Sequence, residues 1–282
     1  MPLRRDVLKG IAGATVAGAA GGFMPRLARA GLPAGAVESA VLEALPGKKP
    51  LIKRSFRPPN FETPVSYFNE IFTPNDAFFV RYHLAGIPQV DPRDWRLRIG
   101  GESAEKTLEF TLDELKKTFE LVEIAAVNQC SGNRRGLFEP HVPGIQWGYG
   151  GMGNARWRGV RLKDVLARAG VRKDALEVVF DGADAGMLAA TPDFTKSLPV
   201  WKALEENTLI AFDMNGEALP HWHGYPARLV VPGWTATTAV SARLPSSAAV
   251  ISCPFATRYL TRRSRDRTSS STTRIFMRSL PW

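Results

Sequence analysis

The sequence predicts an α+β fold of short strands and short helices. Three observations carry this. Apolar runs with strand character are brief and close on Gly, Pro or Asn. Helical spacing is confined to short stretches with recognisable starts or stops. The two kinds of segment are intermixed rather than alternating as strand and long helix, so a doubly wound parallel sheet is not indicated. At 282 residues the chain can bury a sizeable core, as one large domain or two small ones. It contains no internal repeat.

Taken in order, residues 1–30 read as a targeting segment. Arg4 and Arg5 precede the apolar run "IAGATVAGAAGGFM", whose roughly 14 residues fall short of the ~20 that a membrane-spanning helix needs. Ala28 to Ala30, "ARA", is a small-x-small cleavage signal. The pattern resembles a twin-arginine export signal and predicts a periplasmic protein with no stable membrane span, folded before export around a cofactor.

Residues 31–76 are Pro-rich ("PGKKPLIKRSFRPPNFETP") and read as an irregular, extended arm wrapped on the core. The body is placed at 77–237. "AFFVRYHL" has strand character, with Arg81 and His83 on one face. "DWRLRIGG" alternates as a strand, and "TLDELKKTF" starts a helix at a Thr cap. "LVEIAAVNQC" is a β-rich run that ends at Cys130. "RLKDVLARAG" is a short helix stopped by Gly170. "LEVVFDGAD" is a strand leading into a loop. "PVWKALEENTLIAFDMNGEALP" reads as helix, strand and a hairpin turn at Asn215-Gly216, and "ARLVVPGW" is a further strand.

The formal net charge of +10 suggests nucleic acid until it is located. Residues 1–30 carry five basic residues against Asp6, and residues 241–282 carry eight arginines against Asp266. The body between is close to neutral, which argues against a nucleic-acid-binding surface on it. After Thr237 the composition changes abruptly: no Lys, Glu or Gly, and a density of Arg and Ser. Residues 238–282 read as an aberrant basic tail, expected to be disordered.

The chain has two cysteines, Cys130 and Cys253, and four histidines. A single disulfide between them is a weak expectation, because Cys253 lies in the aberrant tail. Cys130 is therefore read as a residue of reactivity or ligation. "GYGGMG" matches G-x-G-x-x-G but lacks the strand before and helix after that a dinucleotide site needs, so it reads as a flexible loop. His221 and His223 in "HWH" have no acidic or cysteine partner at a zinc-site spacing. Spacing alone leaves a cysteine–histidine nucleophilic pair open. In "NQCSGNRRG", Arg134 and Arg135 beside Cys130 would stabilise a thiolate and draw an oxyanion to it. Thiolate sulfur favours a soft or high-valent metal. On local chemistry, ligand and buried structural thiol stand about even.

"NDAFFVRYHL", "VNQCSGNRRG", "FDGAD" and "HGYPARLVVPGW", in this order and with suitable gaps, resemble the sulfite oxidase family of molybdenum–molybdopterin enzymes. Within that family the likeness is to the catalytic subunits of bacterial periplasmic sulfite dehydrogenases. It runs from about Lys49 to Thr237. It implies the sulfite-oxidase-type fold, the molybdenum–molybdopterin cofactor, and oxidation of sulfite to sulfate with electrons passed to a c-type cytochrome. The chain has no C-x-x-C-H, so that haem is expected on a separate chain.

The resemblance implies a role for each matching residue. Cys130 would be the thiolate ligand of molybdenum. Phe79, Val80, Arg81, Tyr82 and His83 would line the cofactor. Arg81 and Arg135 would pair with sulfite. Asp184 would hold the pterin, and His223 and Arg228 would bind the pterin and its phosphate. The alternatives are a molybdopterin-dependent protein methionine sulfoxide reductase, a truncated non-catalytic remnant, and a Cys130 thiol hydrolase. A neutral sulfoxide has less use for Arg81 and Arg135 together than sulfite has.

Two departures from the family pattern accompany this. The family's pocket tyrosine is matched by Phe194 in "DFTKSLPV", which has no hydroxyl, and Phe194 is kept outside the site. After "GWTAT" an aromatic pair and a phosphate-contacting lysine are expected, but Thr238, Ala239 and Ser241 stand there. The family's C-terminal β-sandwich, which makes its dimer, does not follow, so the family's dimer is not carried over to this chain and dimerisation is doubtful. A reading-frame change after Thr237 is the expectation, to be tested by resequencing that codon.

Overall fold

The computed structural model describes residues 41–234, except 183, 185, 187, 189, 192 and 193, and the backbone of Arg274–Arg278. The twin-arginine segment, its cleavage signal, Thr237 and Cys253 lie outside the described residues.

Strands β1 (Leu42–Glu43), β2 (Leu51–Ser55), β3 (Asn60–Glu62) and β4 (Val80–Arg81) form an antiparallel sheet in that order. Residues 41–76 are thus not an irregular arm. Their prolines stand at strand ends and turns, where no ladder N–H is needed: Pro50 precedes β2, and Pro58 and Pro59 turn the chain into β3. This sheet has its own apolar cluster of Leu45, Leu51, Phe61, Val80 and Tyr82. In "AFFVRYHL" the strand is limited to β4.

The chain continues through β5 (Leu97–Gly101) and β6 (Leu108–Phe110) into helix α1 (Leu112–Thr118). The Thr111 hydroxyl accepts the Glu114 N–H at 3.0 Å, and the Glu114 carboxylate accepts the Thr111 N–H at 2.8 Å. This reciprocal capping box satisfies two of the helix's orphan donors. Strand β7 (Leu121–Gln129) pairs along its whole length with β8 (Met152–Arg161), from Leu121↔Val160 to Gln129↔Met152. Helix α2 (Leu162–Ala169) ends at Gly170 with φ 72°, the left-handed cap that a glycine adopts most easily.

Strands β9 (Glu177–Phe180) and β10 (Lys196–Pro199) pair antiparallel across the "FDGAD" loop, and α3 (Val200–Ala203) is a single turn. Strands β11 (Leu209–Met214) and β12 (Glu217–Ala218) are joined at Asn215 and Gly216, both at positive φ, as the hairpin signal predicts. Strand β13 (Arg228–Val230) pairs with β11.

Within the stretch expected to be a disordered tail, Arg274–Arg278 forms β14. It lies parallel to β9 and antiparallel to β5, giving a second sheet of order β10–β9–β14–β5–β6. The surrounding Arg and Ser composition conceals Ile275-Phe276-Met277, a run of good β propensity. The third sheet has the order β12–β11–β8–β7, with β13 on β11. The largest apolar cluster joins the second and third sheets. It includes Leu97, Phe180, Val160, Ile210 and Leu229, with Val165 and Leu166 from α2. Burying each such side chain stabilises by about 1.5–3 kcal/mol, so this cluster fixes the two sheets against each other. The architecture is the α+β class of short mixed elements that the sequence predicts.

Candidate active site

Strand β7 delivers Cys130 to the end of its ladder with β8. The Cys130 N–H donates to Gly151 O at 2.8 Å, which extends the pairing by one step. The chain then turns. Gly132 N–H donates to Cys130 Sγ at 3.4 Å, and Asn133 N–H donates to Cys130 O at 2.9 Å. The thiol is 5% exposed, among Phe78, Phe79, Trp147 and Trp157.

The turn is laced to the glycine segment 148–151. Arg134 N–H donates to Gly148 O, Gly136 N–H donates to Trp147 O, and Asn133 Oδ1 accepts the Gly151 N–H. That segment is held from the first sheet. The Glu62 carboxylate accepts the N–H of Gly148 and of Gly150, each at 2.8 Å, and pairs with Arg54 at 2.7 Å. "GYGGMG" is therefore a braced loop running into β8, not a flexible one. Its role as a dinucleotide site is excluded, since no helix follows.

Arg135 lies in a slot bounded by two glycines. A Cβ built at Gly132 would stand 2.6 Å from its guanidinium, and one at Gly144 would stand 2.8 Å from it. Its Nη1 donates to Ile145 O at 3.1 Å, which orients the group.

Arg81 on β4 reaches the same place from the first sheet. Burial lowers its pKa, the Cys130 charge and a side-chain hydrogen bond to Cys130 raise it, Arg135 lowers it and Asp184 raises it. Cys130, Arg135 and Asp184 thus all act on Arg81, although they are far from it along the chain. Alternation along 80–83 divides the work. Val80 and Tyr82 face the cluster of the first sheet, and Tyr82 Oη donates to His221 O at 3.2 Å. Arg81 and His83 face the other way.

His83 stacks on Phe194, with ring centroids 4.1 Å apart and planes at 23°. Its pKa is lowered to about 4 by burial, then by Arg81 and Lys196, so it is neutral at ordinary pH. Lys196 Nζ lies 4.1 Å and Arg81 Cζ 6.0 Å from the Phe194 ring centroid. Phe194, kept outside the site on sequence grounds, is 4% exposed and inside it. Lys196 is a site residue that the motifs do not point to. Its position two residues from the family's tyrosine position is the signal that marks it.

A second basic cluster is buried nearby. His223, in a one-turn 3-10 helix His221–His223, is 2% exposed and Arg228 on β13 is 1% exposed. Arg228 Nη1 donates to His223 O at 3.1 Å, and its guanidinium lies 4.8 Å from the Trp157 ring. Lys48, from the first sheet's segment, contacts His223 Nε2 and donates to the carbonyls of Asn75 at 2.5 Å and Phe78 at 3.0 Å. Burial is the leading cause of a lowered pKa for all three: Lys48 to about 7, Arg228 to about 10, and His223 well below its usual range. Phe78 joins the two clusters, edge-on to His223 at 5.3 Å and stacked on Phe79 at 5.4 Å. No local pattern singles out Lys48, whose partner His223 is 175 residues away.

The sequence-predicted residues thus gather in one region of the body. Phe79, Arg81 and Arg135 gather at the Cys130 thiol, His83 and Asp184 interact with Arg81, and His223 and Arg228 lie beyond Phe78. The side chains of Val80 and Tyr82 belong to the first sheet's cluster and do not line the thiol pocket. The donor set fits the expected molybdenum–molybdopterin. Cys130 offers a soft donor for a metal. Arg228, Lys48 and His223, buried together, bring N–H donors and cationic groups to one place, the chemistry that a phosphate ester would pair with.

Comparisons with known proteins agree. Residues 83–242 match the family model described as "Oxidoreductase molybdopterin binding domain". Mitochondrial sulfite oxidase of Rattus norvegicus is 38% identical over 196 residues, which is 67% of this chain and 35% of that protein. Nitrate reductase (NADH) 1 of Oryza sativa subsp. japonica is 33% identical over 199 residues, 67% of this chain and 20% of that protein. The crystal structure of the sulfane dehydrogenase SoxCD from Paracoccus pantotrophus superposes with a TM-score of 0.57 at 31% identity, over 79% of this chain and 53% of that one. The chain spans about a third of the length of the sulfite oxidases it matches. The cofactor of this family is molybdenum–molybdopterin. The domain match covers more than half of the chain, and on that ground the chain belongs to the sulfite oxidase family of molybdenum enzymes.

Proposed function

We propose that this protein oxidises sulfite to sulfate and passes the electrons to a c-type cytochrome on a separate chain, in the periplasm after twin-arginine export. The observation that carries the reading is the convergence of Arg81, Cys130 and Arg135 on one buried pocket. When bound, molybdenum–molybdopterin supplies the two-electron redox and oxygen-transfer chemistry.

The chain's own residues supply ligation, orientation and field. Cys130 is the metal's thiolate ligand. Its sulfur accepts the Gly132 N–H and interacts with Arg81, which holds it in one orientation. Arg81 and Arg135 concentrate the sulfite dianion and orient it, and they favour it over neutral competitors. His83 is neutral at ordinary pH and can offer a hydrogen bond without adding charge. Asp184 holds the pterin, and His223 and Arg228 hold its phosphate. Phe79 lines the cofactor with its ring. Val80 and Tyr82 can do so with their backbone only, since their side chains face the first sheet.

The test is the molybdenum content of the purified protein, followed by sulfite-dependent reduction of cytochrome c. Metal with sulfite turnover supports the reading. Metal with turnover of methionine sulfoxide alone replaces it with the sulfoxide reductase. Absence of metal replaces it with a non-catalytic relic of the fold.

A further inference from the structure

We propose that Lys196 is a third substrate-binding cation of the Cys130 pocket, engaging a doubly charged sulfur oxyanion together with Arg81 and Arg135. The proposal rests on the sulfite reading above and names the residue that sharpens its choice of anion.

Position comes first. Lys196 opens β10 and is held in register opposite Phe180 of β9, so its backbone is fixed by the sheet. Phe194 is buried and holds two groups at short range: the His83 imidazole stacked at 4.1 Å, and Lys196 Nζ, also 4.1 Å from the centroid. A ring face covered by a stacked imidazole has no room for an ammonium at that distance, so the two groups sandwich the ring. The Arg81 guanidinium lies 6.0 Å from the same centroid, on the pocket side with Cys130. Phe194 is therefore a spacer between His83 and Lys196, and it keeps the lysine's ammonium within electrostatic reach of Arg81.

Charge comes second. The Arg81 charge lowers the pKa of Lys196, after burial, and Arg135 acts on Arg81 in the same sense. Like charges coupled in this way, Lys196 to Arg81 and Arg81 to Arg135, are costly in a part-buried pocket unless an anion enters it. The Cys130 thiolate and Asp184 offset part of this. A dianion offsets more, and a neutral sulfoxide offsets none. An ammonium also has donors to spend: its acceptor among the described residues is Thr195 O at 2.9 Å, which takes one of the three N–H it carries. Phe194 has no hydroxyl, so the ring itself donates nothing to an oxyanion.

The test uses the molybdenum-loaded protein and two variants, Lys196→Met and Lys196→Arg. Lys196→Met keeps the apolar stem over Phe194 and removes the charge. Its KM for sulfite is expected to rise on the order of tenfold, about 1.4 kcal/mol, with a smaller fall in kcat. Lys196→Arg is expected to recover most of the loss. Molybdenum content and the thermal midpoint should match wild type in both, which separates substrate binding from a structural role. Sulfate titration by calorimetry gives a readout without turnover: the Lys196→Met dissociation constant is expected to be weaker by about the same factor. If wild type binds sulfate but turns over no sulfite, the functional reading fails while Lys196 still stands on the titration. Equal sulfate binding by wild type and Lys196→Met overturns the proposal, as does wild type that binds no sulfate.

Discussion

Cys130 accepts the Gly132 N–H through its sulfur, so replacing it by serine keeps the turn and changes only the donor atom. A hydroxyl is a hard, weakly acidic donor where a soft thiolate is needed. Cys130→Ser is expected to leave the circular dichroism spectrum and thermal midpoint unchanged and to drop sulfite turnover below detection. Turnover at the wild-type rate would remove Cys130 from the ligand role. Lys48 poses a different problem, since its amine is buried against His223 and two carbonyls. Its pKa is about 7 in the fold, against the 10.5 of an ordinary lysine. Between those values the unfolded chain binds more protons than the folded one, so stability must rise with pH across that window. The cost of burying the charged form is fully present below about 7. Each pH unit is worth about 1.4 kcal/mol, which makes the whole rise several kcal/mol at most. His83, at about 4, and His223 act with the same sign on the acid side, where stability falls as pH drops below 6.5. Urea unfolding of cofactor-free protein from pH 5 to 10 checks both limbs. Lys48→Met is expected to give a shallower slope above pH 7, and a flat wild-type profile there would contradict a buried lysine.

Elements differ in how far they can be read from sequence, and the difference follows the range of their interactions. The α1 capping box, β7 leading to Cys130, the Gly170 stop and the Asn215-Gly216 turn are local patterns, and each is visible in a few consecutive residues. Thr111→Ala removes the cap and is expected to cost about 1 kcal/mol in urea unfolding, with no effect on the distant pocket. The strands of residues 41–76 are hidden for the opposite reason. They are short, they sit among prolines, and their value lies in contacts across the chain. Glu62 shows this: it is inconspicuous in "NFETP", yet it accepts two N–H groups 86 and 88 residues away and pairs with Arg54. Those bonds hold the glycine loop on which the Cys130 turn rests. Glu62→Gln keeps the shape, loses the charge and sets an amide against one glycine N–H. It is expected to destabilise by about 1–3 kcal/mol and to lower molybdenum retention, both measured on one preparation. Wild-type stability in that variant would show that the loop is held by other means. The candidate site divides the same way. Cys130, Arg81, Arg135, Asp184, His223 and Arg228 follow from the ordered motifs, whereas Lys48, Glu62 and Lys196 become visible only once the sheets bring them in.

At the scale of the whole molecule, the second sheet is closed by a strand from far along the chain. Strand β14 stands between β9 and β5, pairing parallel to one and antiparallel to the other. The two hairpin-like halves, β9–β10 and β5–β6, therefore meet through it and not directly. Both halves also feed the largest apolar cluster, so their spacing matters to the core and, through β10, to the position of Phe194 and Lys196. Ending the chain at Thr273 removes β14 and leaves two unpaired edges facing each other. Each ladder hydrogen bond contributes about 0.5–1.5 kcal/mol net, so losing several is expected to cost about 2–4 kcal/mol. The loss should be uneven. Amide exchange is expected to speed up at Leu97–Gly101 and Glu177–Phe180, where the partner is gone. Leu121–Gln129 should keep its protection, because β7 draws its partners from β8. Exposed edges also invite pairing between molecules, so the truncated chain is expected to self-associate at high concentration. Unchanged exchange at both β5 and β9 would show that the second sheet does not depend on residues 274–278, and the closure of the sheet would have to be assigned elsewhere.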